Sequence, residues 1–349
     1  MSDRLFIVFQ HLVPQHALSR VIGWLANCQW GFVKNTFIGW FVERYRVDME
    51  EARCTDALRY ACFNDFFTRE LKEGARVIDD AEEAIVCPAD GAISQLGAIE
   101  QGTLLQAKGR HFSLVDLLGG DEQRAEPFQE GVFATVYLSP RDYHRVHMPL
   151  SGTLTKMIHV PGKLFSVNQL TSEHVPDLFA RNERVVCLFD TDTGPMALVL
   201  VGAMIVASVD TVWAGQVCPR RTDCAEVSYL DHLPPIQIAK GAEMGRFKLG
   251  STVIAVFGPG VATLEECLGA GDPVRMGQRL GTLVGAGAPP RASPRLSLNR
   301  GSSRAGPLPQ RGSVEVGAAV VRHAEHFDTK GCIGLDVKAL ATRHRLPGQ

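Results

Sequence analysis

The residues with the clearest chemical potential form a glycine-serine step, Gly250-Ser251, which precedes a β-branched and apolar run from Thr252 to Phe257. A hydroxyl beside glycine can attack the carbonyl carbon of its own preceding peptide bond, because glycine has no side chain to block the approach and accepts strained backbone angles. The amide would become an ester, and loss of the Ser251 α-proton would release a chain end at Gly250. Hydrolysis of the resulting dehydroalanine would leave a pyruvoyl group. The same dipeptide is common in ordinary turns, so the interpretation depends on the rest of the chain.

Two other stretches carry candidate acid and base groups. Asp90-Gly91 is typical of a tight turn between strands, and a rigid turn can also hold a carboxylate as an orienting acid. His144 and His147 lie in a window from 141 to 147 that also holds two arginines, Asp142 and Tyr143. Two histidines three residues apart are typical of metal ligands, of ordinary core or surface residues, or of proton-transfer groups, and no third metal ligand stands at a suitable spacing.

Around these groups the chain resembles the bacterial, pyruvoyl-dependent phosphatidylserine decarboxylase proenzymes. The resemblance rests on Gly245-Arg246-Phe247-Lys248-Leu249-Gly250-Ser251-Thr252-Val253-Ile254, on Asn64-Asp65-Phe66-Phe67, and on the segments 162–168 and 178–184. It extends from about Phe6 to about Val284. The resemblance implies self-cleavage between Gly250 and Ser251 by a charge relay of Asp90, His147 and Ser251, with His144 as the proton-transfer group in decarboxylation.

The resemblance also implies a cofactor and a substrate. Ser251 would become a covalent pyruvoyl group that forms a Schiff base with phosphatidylserine and releases carbon dioxide to give phosphatidylethanolamine, with no diffusible cofactor and no metal. Ser166, Arg181 and Arg184 are the candidate substrate contacts. The two products of cleavage, residues 1–250 and 251–349, would stay together as a heterodimer, and a dimer of this pair remains open.

The elements that must position these groups indicate an α+β protein. We expect a helical N-terminal region packed on a mainly antiparallel β core, with a flexible C-terminal tail. The expected divisions are amphipathic helices in 1–75, the catalytic core with its self-cleavage site in 76–284 and a low-complexity extension in 285–349. Thr252 to Phe257 should be a buried strand, Thr193 to Val209 two strands, and Asp48 to Leu71 further helix.

The N-terminal region combines aromatic and basic residues. Trp24, Trp30 and Trp40 lie among phenylalanines at helical spacing, with lysines and arginines between them. Such helices suit the surface of an anionic bilayer, and they also suit a cover over the core or a partner subunit. The resemblance favours the membrane, and we expect peripheral association with the cytoplasmic side of the cell membrane.

The composition limits the kinds of partner and the cell compartment that the sequence supports. The 349 residues are 45% apolar, and a formal net charge of -2 gives no reason to propose a nucleic-acid partner. Nine cysteines without a C-x-x-C pair are typical of reduced thiols in a cytosolic compartment. No secretory signal is recognisable, and no apolar run has the ~20 residues that a transmembrane helix needs.

Three alternative functions stay open from the sequence. A pyruvoyl decarboxylase of a soluble amino acid would use the same chemistry, but it would not need a bilayer-facing surface. A serine hydrolase could use Asp90, His147 and Ser251 on an external ester, although Ser251 lacks the Gly-x-Ser-x-Gly elbow. A membrane-associated scaffold would stay uncut and inactive.

Overall fold

The computed structural model describes residues 10, 13–204, 208–217, 224–248 and 251–284, with the backbone alone at Ser251. Within them the α-helices are α1 Gln15–Ala26, α2 Gly31–Tyr45, α3 Phe63–Phe67, α4 Leu114–Leu117, α5 Glu122–Ala125, α6 Gln169–His174 and α7 Leu178–Arg181. The strands are β1 Ala84–Val86, β2 Gly91–Ala98, β3 Thr103–Ala107, β4 Arg110–Ser113, β5 Val132–Leu138, β6 Arg145–His147, β7 Gly152–Val160, β8 Arg184–Thr191, β9 Gly194–Val201, β10 Ser208–Thr211, β11 Gly215–Gln216, β12 Ala225–Ser228, β13 Gln237–Ile238, β14 Glu243–Lys248, β15 Ser251–Phe257, β16 Ala262–Leu264, β17 Pro273–Val274 and β18 Arg279–Leu283. The predicted extension 285–349 lies outside the described residues.

One large antiparallel sheet organises the core. Its strands follow the order β12-β7-β8-β9-β15-β5-β2-β17, and β13 pairs with β7. Smaller sheets have the orders β11-β10-β14-β6, β1-β18-β16 and β3-β4. The predicted α+β class with mainly antiparallel strands is confirmed.

Strand β15 lies at the centre of this sheet and is buried on both faces. Val253, Ala255 and Phe257 pack into one hydrophobic cluster, while Ile254 and Val256 pack into the cluster on the opposite face. Alternating faces of a strand explain this division. Because neither face meets water, the run carries no polar alternation, and the prediction of a buried strand from 252 to 257 is confirmed.

The N-terminal helices build a third cluster on one side of the core. Ile38 and Phe41 of α2 pack against Phe63, Phe66 and Phe67 of α3. The ring centroids of Phe41 and Phe63 lie 5.0 Å apart at a steep angle, a geometry that aromatic rings favour. None of the helices in the described residues is long and apolar enough to cross a membrane.

The segment from Asp48 to Leu71 is less helical than predicted. Helix α2 ends where Arg46 adopts a left-handed conformation, and regular helix returns only in the short 3-10 turn Ala57–Arg59 and in α3. The segment instead folds back on itself, since Ala52 forms a bridge with Leu71 and Lys72 N donates to Glu51 O at 2.9 Å. Pairing between the two ends of this segment therefore overrides the local helical preference.

Candidate active site

Ser251 stands at the first position of the central strand. Its backbone pairs with Leu138 at the end of β5, and the next residue, Thr252, pairs with Tyr137 on one side and Val201 on the other. Leu249 and Gly250 lie outside the described residues. Ser251 is therefore held where several strand ends meet, because the strand that it opens is paired along both edges.

Asp90 occupies the turn between β1 and β2. A Cβ on the next residue, Gly91, would lie 2.1 Å from the carbonyl oxygen of Tyr137, and the φ of Gly91 is 153°. Only glycine fits this close approach, which brings the turn against β5. Ala92 and Thr252 both pair with Tyr137, so their backbones lie two strand spacings apart, about 10 Å.

The carboxylate of Asp90 is buried and held by a guanidinium. Arg76 Nε donates to both carboxylate oxygens at 2.9 and 3.1 Å, Arg76 Nη2 donates as well, and Met276 N donates to Oδ1 at 2.9 Å. Arg76 also bonds Glu51, which in turn pairs with Arg275. Burial alone would lower the pKa of Arg76, but its hydrogen bonds to Asp90 and Glu51 outweigh burial and raise it.

His147 lies on β6 with both ring nitrogens engaged. Its Nδ1 is 2.8 Å from the carbonyl oxygen of Gly241, and its Nε2 is 3.0 Å from the hydroxyl of Tyr143. A carbonyl oxygen only accepts, so the neutral ring carries its proton on Nδ1 and accepts from Tyr143 at Nε2. Burial lowers the pKa of His147, against opposing contributions from the Gly241 carbonyl and the carboxylates of Glu243 and Asp90.

The direct hydrogen bond between Asp90 and His147 that the predicted relay needs is not formed. Gly241 orients the imidazole, and Arg76 and Met276 hold the carboxylate. The two segments are nevertheless neighbours, since His147 N donates to Pro88 O at 2.8 Å. The charge of Asp90 raises the pKa of His147, while the ring is held by the Gly241 carbonyl and not by Asp90.

His144 is completely buried in the loop between β5 and β6. Its Nδ1 donates to the carbonyl oxygen of Asp142 at 2.8 Å, its ring centroid lies 4.0 Å from that of Phe67, and its Nε2 has no hydrogen-bond partner within the described residues. Burial lowers the pKa of His144 to about 3. The imidazole is therefore neutral at physiological pH and keeps an unused lone pair.

A tight turn and a strand pair place the two histidines. Ser139 N and Oγ both donate to Asp142 Oδ2 at 2.7 Å, which closes the turn after β5. Phe247 N donates to His144 O at 3.0 Å, and His147 pairs with Glu243, so the histidines run along the strand that leads towards Ser251. The histidine window therefore lies between β5, whose end pairs with Ser251, and β14, the strand that precedes Ser251 in the chain.

The three predicted substrate contacts lie on the other side of β15. Ser166 N donates to Gln10 Oε1 at 3.0 Å. Arg181 stacks over Phe165 at 5.0 Å and lines a cavity. Arg184 is 2% exposed and donates to four backbone carbonyl oxygens, those of Asp116, Leu117, Ala180 and Asn182. The structure does not support Arg184 as a phosphate contact, because its guanidinium is buried and committed to these carbonyls.

Two functional partners were missed by sequence reasoning. Arg76 pairs with Asp90 across 14 positions without any repeating pattern, and its only sequence signal is a charged residue just before the β core. Gly241 contributes a carbonyl oxygen, which every residue has, so no residue type could indicate it. Tyr143 was visible as part of the histidine window, although not as the partner of His147.

Comparisons with known proteins identify the family of the chain. A family profile described as phosphatidylserine decarboxylase matches residues 63–282, and a second, described as PSD, matches residues 5–46. A phosphatidylserine decarboxylase proenzyme of Ectopseudomonas mendocina is 63% identical over 282 residues, covering 80% of this chain and 99% of the relative. The proenzymes of Pseudomonas aeruginosa and Stutzerimonas stutzeri are each 60% identical, covering 80% of this chain and 97% and 95% of the relatives.

Proposed function

The chain belongs to the phosphatidylserine decarboxylase family and removes carbon dioxide from phosphatidylserine, and from this premise we propose that it becomes active by cutting itself between Gly250 and Ser251. The observation that carries the proposal is the meeting of three segments. The Ser251 backbone is paired with Leu138, the chain continues from Leu138 into the histidine loop, and the Asp90 turn lies on the far edge of the same β5 strand.

In the proposed cleavage, the hydroxyl of Ser251 attacks the carbonyl carbon of Gly250. His147 takes the hydroxyl proton at Nε2, after this nitrogen exchanges its hydrogen bond from Tyr143 for one from Ser251. The C–N bond breaks as the amide becomes an ester, and the nitrogen of residue 251 takes up a proton. Removal of the α-proton then expels the Gly250 carboxylate, and hydrolysis of the dehydroalanine releases ammonia.

Asp90 supports the base electrostatically. The carboxylate of Asp90 raises the pKa of His147 against burial, and it would therefore stabilise the imidazolium that forms when the proton arrives. The guanidinium of Arg76 and the amide of Met276 hold this charge in one place. The charge relay is thus proposed to work without direct contact between the acid and the imidazole.

The residues around position 251 fit a covalent pyruvoyl group. The buried, unpartnered Nε2 of His144 is a lone pair available beside the strand that leads to position 251. A pyruvoyl group at position 251 would supply a ketone for the serine amine of the lipid and an electron sink for decarboxylation. His144 is neutral, so it first takes a proton at Nε2, which the substrate ammonium supplies, and later returns that proton to the α-carbon.

Substrate access is proposed from the bilayer surface. Trp24 is 73% exposed, Trp30 76% and Phe32 81%, all on or beside α1 and α2. Exposed aromatic rings of this kind settle at headgroup depth. We place the protein peripherally on the cytoplasmic side of the cell membrane, with chains 1–250 and 251–349 held together because β15 is paired on both edges, and with Ser166 as a substrate contact.

Intact mass measurement of the purified protein tests the proposal. We expect two polypeptides, with the second lighter than unmodified 251–349 by one ammonia. A Ser251→Ala variant should remain a single 38.1 kDa chain and lose decarboxylation. A serine hydrolase would remain one piece in its active form, so an uncut wild-type chain that still releases carbon dioxide from phosphatidylserine would refute self-cleavage.

A further inference from the structure

A cavity of about 400 Å³ lies between helix α1 and the core, away from the histidine loop. Its lining includes His16 and Arg20 of α1, together with Lys163, Phe165 and Arg181 of the core. Three hydrogen bonds fix the helix against this wall: Leu164 N donates to Gln15 Oε1 at 2.8 Å, His16 Nε2 donates to Gly162 O at 3.0 Å, and Ser166 N donates to Gln10 Oε1. The cavity is therefore built from two parts of the chain.

Three cationic side chains face this cavity without a counter-charge. Arg20 and Lys163 are exposed, Arg181 is half-buried over Phe165, and none of the three forms an ion pair within the described residues. Two main-chain hydrogen bonds set two of them side by side, since Lys163 N donates to Arg181 O and Glu183 N donates to Lys163 O, both at 2.8 Å. Cations that converge without a carboxylate attract an anion.

Arginine and lysine side chains in this arrangement suit a phosphodiester. Guanidinium groups bind phosphate oxygens in a bidentate manner, and an ammonium adds a point charge. The volume of the cavity falls within the usual range for small-molecule sites, about 300–1,000 Å³. A phosphate with its neighbouring glycerol or alcohol group therefore fits better than a large ligand.

The surroundings of Arg20 favour a lipid over a free phosphate. Arg20 and Trp24 lie four residues apart on α1 and share one face of the helix. Trp24 is 73% exposed and the neighbouring Val21 is 64% exposed. A cation beside exposed aromatic and aliphatic side chains matches the boundary between headgroups and acyl chains.

Distance separates this cavity from the headgroup of the reacting lipid. Thr252 pairs with Val201, and Val201 pairs with Arg184, so Arg184 lies about 10 Å from the start of β15. Lys163 lies one segment further away, because it forms a bridge with Asn182. The amine and the phosphorus of a serine headgroup are four bonds apart, about 5 Å. A lipid whose amine reacts at position 251 would thus leave its phosphate short of the cavity.

We propose that this cavity binds the phosphodiester of a second, non-reacting anionic phospholipid through Arg20, Lys163 and Arg181. The bound headgroup would hold α1 and the core together at the bilayer surface. The inference rests on the proposed peripheral membrane association. It does not depend on self-cleavage.

Binding of a short-chain lipid tests the site. Wild-type protein is titrated calorimetrically with dihexanoyl-phosphatidylglycerol below its micelle concentration, since this lipid has no amine and cannot react. We expect one saturable site per chain. The affinity should be about tenfold lower in the Lys163→Gln/Arg181→Gln variant, and the affinity should also fall in Arg20→Gln. The matched control Lys72→Gln/Arg110→Gln also removes one lysine and one arginine charge, at exposed positions outside the cavity, and should bind as the wild type does.

Each of the other possible outcomes contradicts a different part of the proposal. Equal affinity in the cavity variant and the control, with both unfolding at the wild-type temperature, would overturn the proposal. Equally tight binding of inorganic phosphate would overturn the assignment to a lipid, and equal binding of dihexanoyl-phosphatidylcholine would overturn the requirement for net negative charge. Failure of the 250/251 cut, read separately on a denaturing gel, would refute the proposed maturation and leave the binding result standing.

Discussion

The Asp90 turn and the histidine loop flank the same strand ends but treat charge in opposite ways. The carboxylate of Asp90 pairs with the buried guanidinium of Arg76, which Glu51 also holds. His144 and His147 are buried without a carboxylate partner and are kept neutral by desolvation. The Asp90 turn thus contains a paired carboxylate, and the histidine loop contains neutral imidazoles that can accept protons.

The difference teaches how acid and base can be separated in one small site. If Asp90 contacted His147 directly, it would favour imidazolium before the serine proton arrived. In the proposed cleavage, the carboxylate is held by Arg76, so His147 would stay a neutral base and the charge would act at a distance once the proton has moved. In the proposed cleavage, the Asp90 turn therefore supplies electrostatic stabilisation and the histidine loop supplies the proton acceptor.

The largest expected effect comes from replacing His147, the proposed base for cleavage. His147→Gln should slow the 250/251 cut by a factor on the order of 10³, because no other group at this position accepts the Ser251 proton. The measurement is the amount of uncut chain over time after synthesis. The exposed His174→Gln serves as control and should mature at the wild-type rate. Normal maturation of His147→Gln would remove this residue from the proposed cleavage.

The second test separates the two histidines from each other. His144→Gln should be cut normally yet release carbon dioxide from phosphatidylserine on the order of 10² more slowly, since a glutamine cannot carry the proton to the α-carbon. Cleavage is read on a gel, and carbon dioxide release is measured in mixed micelles. If His144→Gln blocked cleavage as His147→Gln does, the two imidazoles would not have separate roles.

The third test breaks the charged region. Arg76→Met should destabilise the protein by about 3–5 kcal/mol, because it leaves the carboxylate of Asp90 buried without its main partner. Urea unfolding in the uncut Ser251→Ala chain measures this effect on a single polypeptide. Arg53→Met, which removes the exposed ion pair with Glu70, should cost less than about 1 kcal/mol. Equal losses in the two variants would show that the Arg76 pair does not hold Asp90.

Sequence patterns reached the framework of the site but not its hydrogen bonds. The apolar run after Ser251 and the turn at Asp90-Gly91 carry strong local signals, so the central strand and its antiparallel surroundings were predicted. Thr193 to Val209 likewise resolves into β9 and β10 as predicted. Each of these depends on residues that are close in sequence.

The features that escaped prediction depend on pairs that are distant in sequence. Arg184 looked like a phosphate ligand, yet its neighbours Asp116 and Leu117 come from a helix almost 70 positions earlier. The partner of His147 Nδ1 is a main-chain carbonyl 94 positions away. Such contacts are set by strand register and burial, which no single stretch of the chain encodes.

The smallest expected effect is a pH dependence that belongs to the histidine loop alone. The pKa of buried His144 is about 3 in the folded chain and near 6.5 when unfolded, so the unfolded state binds more protons below pH 6.5. The contribution of neutral His144 to the free energy of unfolding is complete above pH 6.5. It falls by about 1 kcal/mol per pH unit as the pH drops towards 3. In the uncut Ser251→Ala chain, the addition of His144→Gln should therefore flatten the fall in unfolding free energy between pH 6 and 5. The exposed His111→Gln should leave the slope unchanged, and a parallel fall in all three chains would mean that His144 meets water in the folded protein.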